Sequence, residues 1–234
     1  MSSSVTVRAF LGLALAALFH APSIHAQAAA PLSAADSDPV KLGWMVGSPP
    51  PAERQIHYAD LSFFRFPQTR WSFAHMSQFV PTATVWRGDG PVSALPRAER
   101  DDIDAVTFHP LGSTGTMTWV QSLDANYTDA IVVLHRGRIV YERYRGVMNP
   151  HQRHIAMSVT KSFVGTIAAA LIAEGRIDPS APVTKYVPEL AGSGFGTATV
   201  RQVLDMTTGL KYSEAYGDPA ADVWKYSVAG GIFP

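Results

Sequence analysis

The stretch IAMSVTKSFVGTIAAALIAEG, residues 155–175, decides how this chain is read. From Ser158 to Glu174 apolar residues recur at Phe163, Ile167 and Leu171, and again at Val164, Ala168 and Ile172. That is the spacing of a helical face. Ser158 stands at or near the N-cap, where serine is favoured. Gly175 suits the left-handed position just past a helix end. The pattern predicts a buried helix over 158–174. Residues three apart share a helix face, so Ser158 and Lys161 are expected to meet at its first turn. They are either the polar start of an ordinary core helix or a reaction centre.

Three effects make the second reading chemically coherent. The positive end of the helix dipole favours developing negative charge. First-turn amides have no helical partner, so the Ser158 N–H is free to donate to an oxyanion. A lysine desolvated beside apolar or cationic groups loses basicity and can take the serine's proton. This is the logic of the Ser-x-x-Lys nucleophile. The bare pattern is weak: with 19 serines and 5 lysines in 234 residues, chance supplies it roughly 0.4 times. Its setting is more specific. It occurs once, it opens a strongly apolar helix, and a strand hairpin precedes it.

That hairpin is DAIVVLHRGRIVYERYRG, residues 129–146. AIVVLH is almost continuously apolar and reads as a strand buried on both faces, while RIVYERYR is rich in strand formers. Gly137 supplies the positive φ of a tight turn. Beyond the helix, residues 176–190 carry three prolines and read as an extended loop with at most one short turn. VRQVLDMTTGL (200–210) predicts a helix closing at Gly209, and the tail mixes loop and short helix. Residues 41–128 hold many prolines and aromatics without clear periodicity, and FAHMSQFV (73–80) suits a short helix.

The N-terminus sets the compartment. Arg8 precedes an apolar run over residues 9–19, and small-residue cleavage sites follow at Ala26 and Ala28. This is the layout of a secretory signal peptide, residues 1–28. Eleven apolar residues are too few to span a bilayer, so no stable membrane insertion is expected after cleavage. Periplasmic or secreted placement in a bacterium follows. Residues 29–40 read as a flexible mature N-terminus. The chain has no cysteine, so an exported form relies on its core without disulfides. With 19 basic against 19 acidic side chains, no net charge draws it to nucleic acid or anionic lipid. His151 and His154 lack a third ligand at metal spacing, so no metal is expected. No Gly-x-Ser-x-Gly elbow is present.

Together MSVTKSFVG, AEGRIDPSAPVTKYVPEL and VRQVLDMTTGL resemble the serine hydrolases of the β-lactamase and penicillin-binding-protein superfamily, in its class C-like esterase branch. Residues 42–88 are similar to the N-terminal region of the 6-aminohexanoate-dimer hydrolases. The resemblance implies an α/β (α+β type) fold, an antiparallel sheet flanked by helices with a mostly helical subdomain. It implies Ser158 as acylated nucleophile, Lys161 as general base and Tyr216 as a substrate contact. It implies amide or ester hydrolysis of small molecules with no cofactor. From residues alone, Tyr216 is a loop aromatic.

The superfamily's second tyrosine motif and its Gly-containing third strand have no convincing match after Lys161. Residues 41–234 are therefore expected to be a partial hydrolase domain, its sheet and helical layers incomplete. Oligomeric state is not readable from the residues. Two rivals to a turning-over enzyme are a penicillin-binding module that acylates and stalls, separable by burst kinetics, and a non-catalytic remnant. An incomplete sheet exposes an edge and apolar faces. The purified 234-residue chain is thus expected to be poorly soluble or only partly folded, and a cooperative thermal transition would contradict this.

Overall fold

The computed structural model describes residues 30–234, so the expected signal peptide lies outside the described residues. Asp38 accepts from the amides of Val40 and Lys41 and starts α1 (Pro39–Leu42). Just before it, the Ser37 hydroxyl donates to the Ser33 carbonyl at 2.7 Å, and Ser37 is fully buried. Small polar residues here act as turn and cap formers. α2 (Thr69–Ser72) is a single turn that places Arg70, Trp71 and Ser72 inside. The helix expected over 73–80 is this turn, displaced toward the N-terminus, followed by a 3₁₀ turn at Met76–Gln78.

Aromatic packing forms the core of this region. Ile56, Phe63, Trp71 and Phe233 are buried together, with Trp44, Tyr58, Phe64, Phe79 and Trp224 around them. Phe63 meets Phe79 at 5.7 Å between ring centroids, and Phe64 meets Phe233 edge-on at 5.0 Å. The chain's last residues thereby close onto its early ones.

Strands β1 (Thr107–Phe108) and β2 (Met117–Thr118) form a short antiparallel pair. Thr118 then caps α3 (Trp119–Ala125) through a reciprocal box with Gln121. The predicted hairpin is present as β3 (Ala130–His135) and β4 (Arg138–Tyr144), antiparallel, with His135 opposite Arg138. Arg136 and Gly137 both have positive φ, 51° and 75°, as a two-residue hairpin turn requires. The outer side of β4 receives residues 96–100: the Ile139 amide donates to the Pro96 carbonyl at 2.9 Å, and Ala98 donates back to Ile139 at 2.8 Å. β3 differs from expectation. Among the described residues it pairs with β4 alone, and Val132 and Leu134 are exposed rather than buried.

The predicted long helix begins as a 3₁₀ turn (Met157–Val159) and continues as α4 (Thr160–Ala173). It ends where expected, with Gly175 at φ 71°. Its apolar face is not buried: Phe163, Val164 and Ile167 are each more than half exposed. The sequence period specified the helix, but no layer among residues 30–234 covers it. The helix expected over 200–210 is α5 (Val200–Leu204), capped by Thr199 and Gln202. It stops early because Met206 turns left-handed at φ 54°. α6 (Asp222–Ala229) closes the chain. No helix of the described residues is long and apolar enough to cross a membrane.

A buried ion pair ties these parts together. Arg70 donates to Asp129 Oδ1 from Nε at 3.1 Å and from Nη2 at 2.5 Å. Its Nη1 donates to the Ala34 carbonyl at 2.5 Å and to Ser37 Oγ at 2.9 Å. The side chains of Arg70 and Asp129 are 6% and 13% exposed, so removing one charge strands the other. Asp129→Asn is expected to cost about 3–5 kcal/mol in urea unfolding of the full-length protein. A loss under about 1 kcal/mol would show that solvent screens the pair.

Candidate active site

The approach to the candidate nucleophile is an irregular segment, residues 145–156, laid against the α2 region. The Arg145 amide donates to the Asp129 carbonyl at 2.7 Å, and the Ile155 amide to the Phe73 carbonyl at 2.8 Å. The Gln152 side-chain amide donates to the Ala74 carbonyl at 2.7 Å. The chain then reverses at Met157, whose φ of 45° is left-handed for a residue with a side chain. Such a conformation costs of order 1–3 kcal/mol and persists only where its surroundings hold it.

Ser158 follows directly, inside the 3₁₀ turn and two residues before α4. It is not the N-cap that its sequence position predicts, and no side chain caps α4. Lys161 Nζ donates to Ser158 Oγ at 2.9 Å. The two residues read together from their spacing are therefore in contact. Among the described residues the Ser158 amide has no hydrogen-bond partner, so it is free to face an incoming oxygen. Both Ser158 and Lys161 are exposed within residues 30–234.

The remaining candidates lie apart. Tyr216 is 65% exposed and packs edge-on against Trp224 at 5.9 Å. No hydrogen bond joins it to Ser158 or Lys161 among the described residues. His154 precedes Ser158 by four residues in the irregular segment, its ring edge-on to Phe73 at 6.1 Å and its Nδ1 2.9 Å from the Ile155 carbonyl. Sequence reasoning missed Gln152 and Met157. Neither has a local signal: one acts through a carbonyl 78 residues away, the other through a backbone angle.

Comparison with known proteins fits this geometry. The family described as Beta-lactamase matches residues 118–229, which include the hairpin, Ser158 and Lys161. Residues 118–229 thus resemble a beta-lactamase family domain. The chain is 42% identical over 165 residues to the 6-aminohexanoate-dimer hydrolase of Paenarthrobacter ureafaciens. That match covers 70% of this chain and 40% of the relative. A solved Bacillus anthracis protein assigned to the 6-aminohexanoate-dimer hydrolases superposes with a TM-score of 0.66 at 30% identity. It is matched over 80% of this chain and 48% of its own. The chain thus spans less than half the length of these relatives. The fold is β-lactamase/transpeptidase-like, with helices and small antiparallel sheets.

The left-handed Met157 yields a test of the strain ahead of the nucleophile. Glycine ordinarily costs roughly 0.5–1 kcal/mol relative to alanine. At φ 45° the order should invert, since alanine retains the steric penalty of about 1–2 kcal/mol and glycine does not. Urea unfolding of the full-length protein should find Met157→Gly at least as stable as Met157→Ala, and the usual order would show that residue 157 relaxes.

Proposed function

We propose that this chain carries the nucleophile of a serine hydrolase that cleaves small amides or esters through an acyl-enzyme on Ser158. The observation that carries the reading is the 2.9 Å contact between Lys161 Nζ and Ser158 Oγ at the head of an apolar helix. With Lys161 neutral, the same contact runs the other way and the hydroxyl donates to the amine. Ser158 Oγ then bonds to the substrate's carbonyl carbon while Lys161 takes the hydroxyl proton. The carbonyl oxygen becomes an oxyanion facing the Ser158 amide, a donor whose loss in comparable sites costs about 10²–10³ in rate. Collapse breaks the carbonyl carbon's bond to nitrogen or oxygen, and the Lys161 ammonium returns a proton to that leaving group. Water then attacks the acyl carbon and gives up a proton to Lys161; the acyl carbon's bond to Ser158 Oγ breaks, and the Lys161 ammonium returns that proton to Oγ, freeing the acid and Ser158.

The relatives named as 6-aminohexanoate-dimer hydrolases support linear aminoalkanoate amides as the substrate class. Tyr216 is proposed to contact the amide side of such a substrate, although in residues 30–234 it packs edge-on against Trp224 instead. The proposal takes the protein to be exported, with the mature chain beginning after Ala26 or Ala28. A slow-turnover acylated module would share the same acylation chemistry and differ in deacylation.

An activated phosphonate reacts with nucleophilic serines. In the full-length protein it should label the native form and leave Ser158→Ala unlabelled. Lys161→Ala should label at least about 10²-fold more slowly, the usual contribution of a positioned base. Lys161→Arg should be equally slow, because a guanidinium stays protonated. Labelling that persists in Ser158→Ala removes this serine from the mechanism.

A further inference from the structure

We propose that Gln152 is a positioning residue for Ser158, holding the strained turn that presents the hydroxyl to Lys161. The inference rests on the reading of Ser158 as nucleophile. Residues 149–156 have no helix or strand to fix them. Among the described residues, Gln152 is the one side chain of 149–157 that hydrogen-bonds outside that segment, to the Ala74 carbonyl at 2.7 Å. Three residues later the Ile155 amide donates to the adjacent Phe73 carbonyl at 2.8 Å. The two bonds lie side by side and stop just before left-handed Met157.

Their acceptors are well anchored. Ala74 is 6% exposed, Ser72 fully buried and Trp71 8% exposed. The Ser72 hydroxyl donates to the Phe63 carbonyl at 2.5 Å, in the aromatic core. Trp71 stacks on His75 at 3.8 Å. Gln152 therefore transmits the position of a rigid core to a segment whose own amide hydrogen bonds are confined to the turn at Asn149–Gln152. Without it, one backbone bond and the edge contact of His154 on Phe73 remain. A nucleophile displaced by about 1 Å can lose on the order of 10²-fold in rate with little change in binding.

The chemistry at this spot is specific. The Ala74 carbonyl accepts and cannot donate, so residue 152 must carry a donor. Gln152→Glu has nearly the same shape but sets a carboxylate oxygen against the carbonyl. Gln152→Lys changes the shape and keeps a donor within reach.

The test uses three variants of the full-length protein, a phosphonate probe, and hydrogen exchange read by mass spectrometry. Gln152→Glu should lower the maximal labelling rate roughly 10- to 100-fold, with the probe concentration for half-maximal rate changed less than about threefold. Gln152→Lys should recover most of the rate. Peptides spanning 153–160 should exchange faster in Gln152→Glu, while those spanning 63–72 should not. A Gln152→Glu rate within about twofold of the native form would overturn the proposal, as would unchanged exchange over 153–160. Equal rate losses in Glu and Lys variants, tracking a common fall in thermal midpoint, would also overturn it, because that pattern marks general destabilisation. Labelling retained in Ser158→Ala defeats the nucleophile assignment instead, and the exchange result then decides the tether by itself.

Discussion

The buried pairing of Arg70 with Asp129 is the constraint on which the arrangement of this chain depends. Arg70 is in the single-turn helix α2, and Asp129 immediately precedes strand β3. The same guanidinium reaches the Ala34 carbonyl and the Ser37 hydroxyl. One side chain thus joins the N-terminal turn, the aromatic core and the hairpin, none of which has a long element of its own to pack. Burying a charge costs several kcal/mol unless it is fully paired, so the pair specifies this geometry more than it adds stability. From α2 the constraint passes to the carbonyls of Phe73 and Ala74, which hold residues 152–155, and from there to Ser158.

How well each part was legible follows from how local its cause is. The hairpin was readable because two runs of strand formers flank Arg136-Gly137, and the turn needs positive φ at both. The long helix was readable from its period, and its end from Gly175. The Ser158–Lys161 contact followed from helical spacing. Burial was not readable in the same way. The periodicity of Phe163 and Ile167 says which face seeks a partner, and nothing within residues 30–234 supplies one. The region 41–128 was opaque for another reason. Its order comes from ring-on-ring contacts such as Phe64 with Phe233 and from an ion pair 59 residues apart in sequence, neither of which leaves a local period. The early stop of α5 and the reversal at Met157 rest on left-handed residues that carry side chains, and propensity gives no notice of them.

The proposed reaction asks an amine to take a proton from a hydroxyl. A lysine in water is protonated at neutral pH, and an ammonium cannot accept that proton. What lowers a lysine's basicity is desolvation or a neighbouring cation. The contact that the step requires is present, with Lys161 Nζ at 2.9 Å from Ser158 Oγ. It is local to four residues at the head of the helix. The exposed apolar surface lies elsewhere: with about 3.6 residues per turn, Phe163 and Ile167 point away from the side of the helix that carries Lys161. A layer that buried Phe163, Val164 and Ile167 would stabilise the helix at about 25 cal/mol per Å² of apolar surface.

The 3₁₀ entry explains why this serine is available at all. A serine at a true N-cap accepts a hydrogen bond from the amide of the second or third helical residue, and that bond fixes its hydroxyl against the helix. At Ser158 no such bond forms, and the hydroxyl is held by Lys161 instead. The helix gives up a cap worth about 1 kcal/mol, and the left-handed Met157 adds a penalty of similar size. The two losses, at Met157 and at the uncapped Val159, flank the residue whose oxygen is proposed to react, and both would vanish if the chain entered α4 through an ordinary cap. The tether from Gln152 and Ile155 to the α2 region holds the chain in the costlier path. On this argument the instability at 157–158 and the reactivity proposed for Ser158 have the same cause.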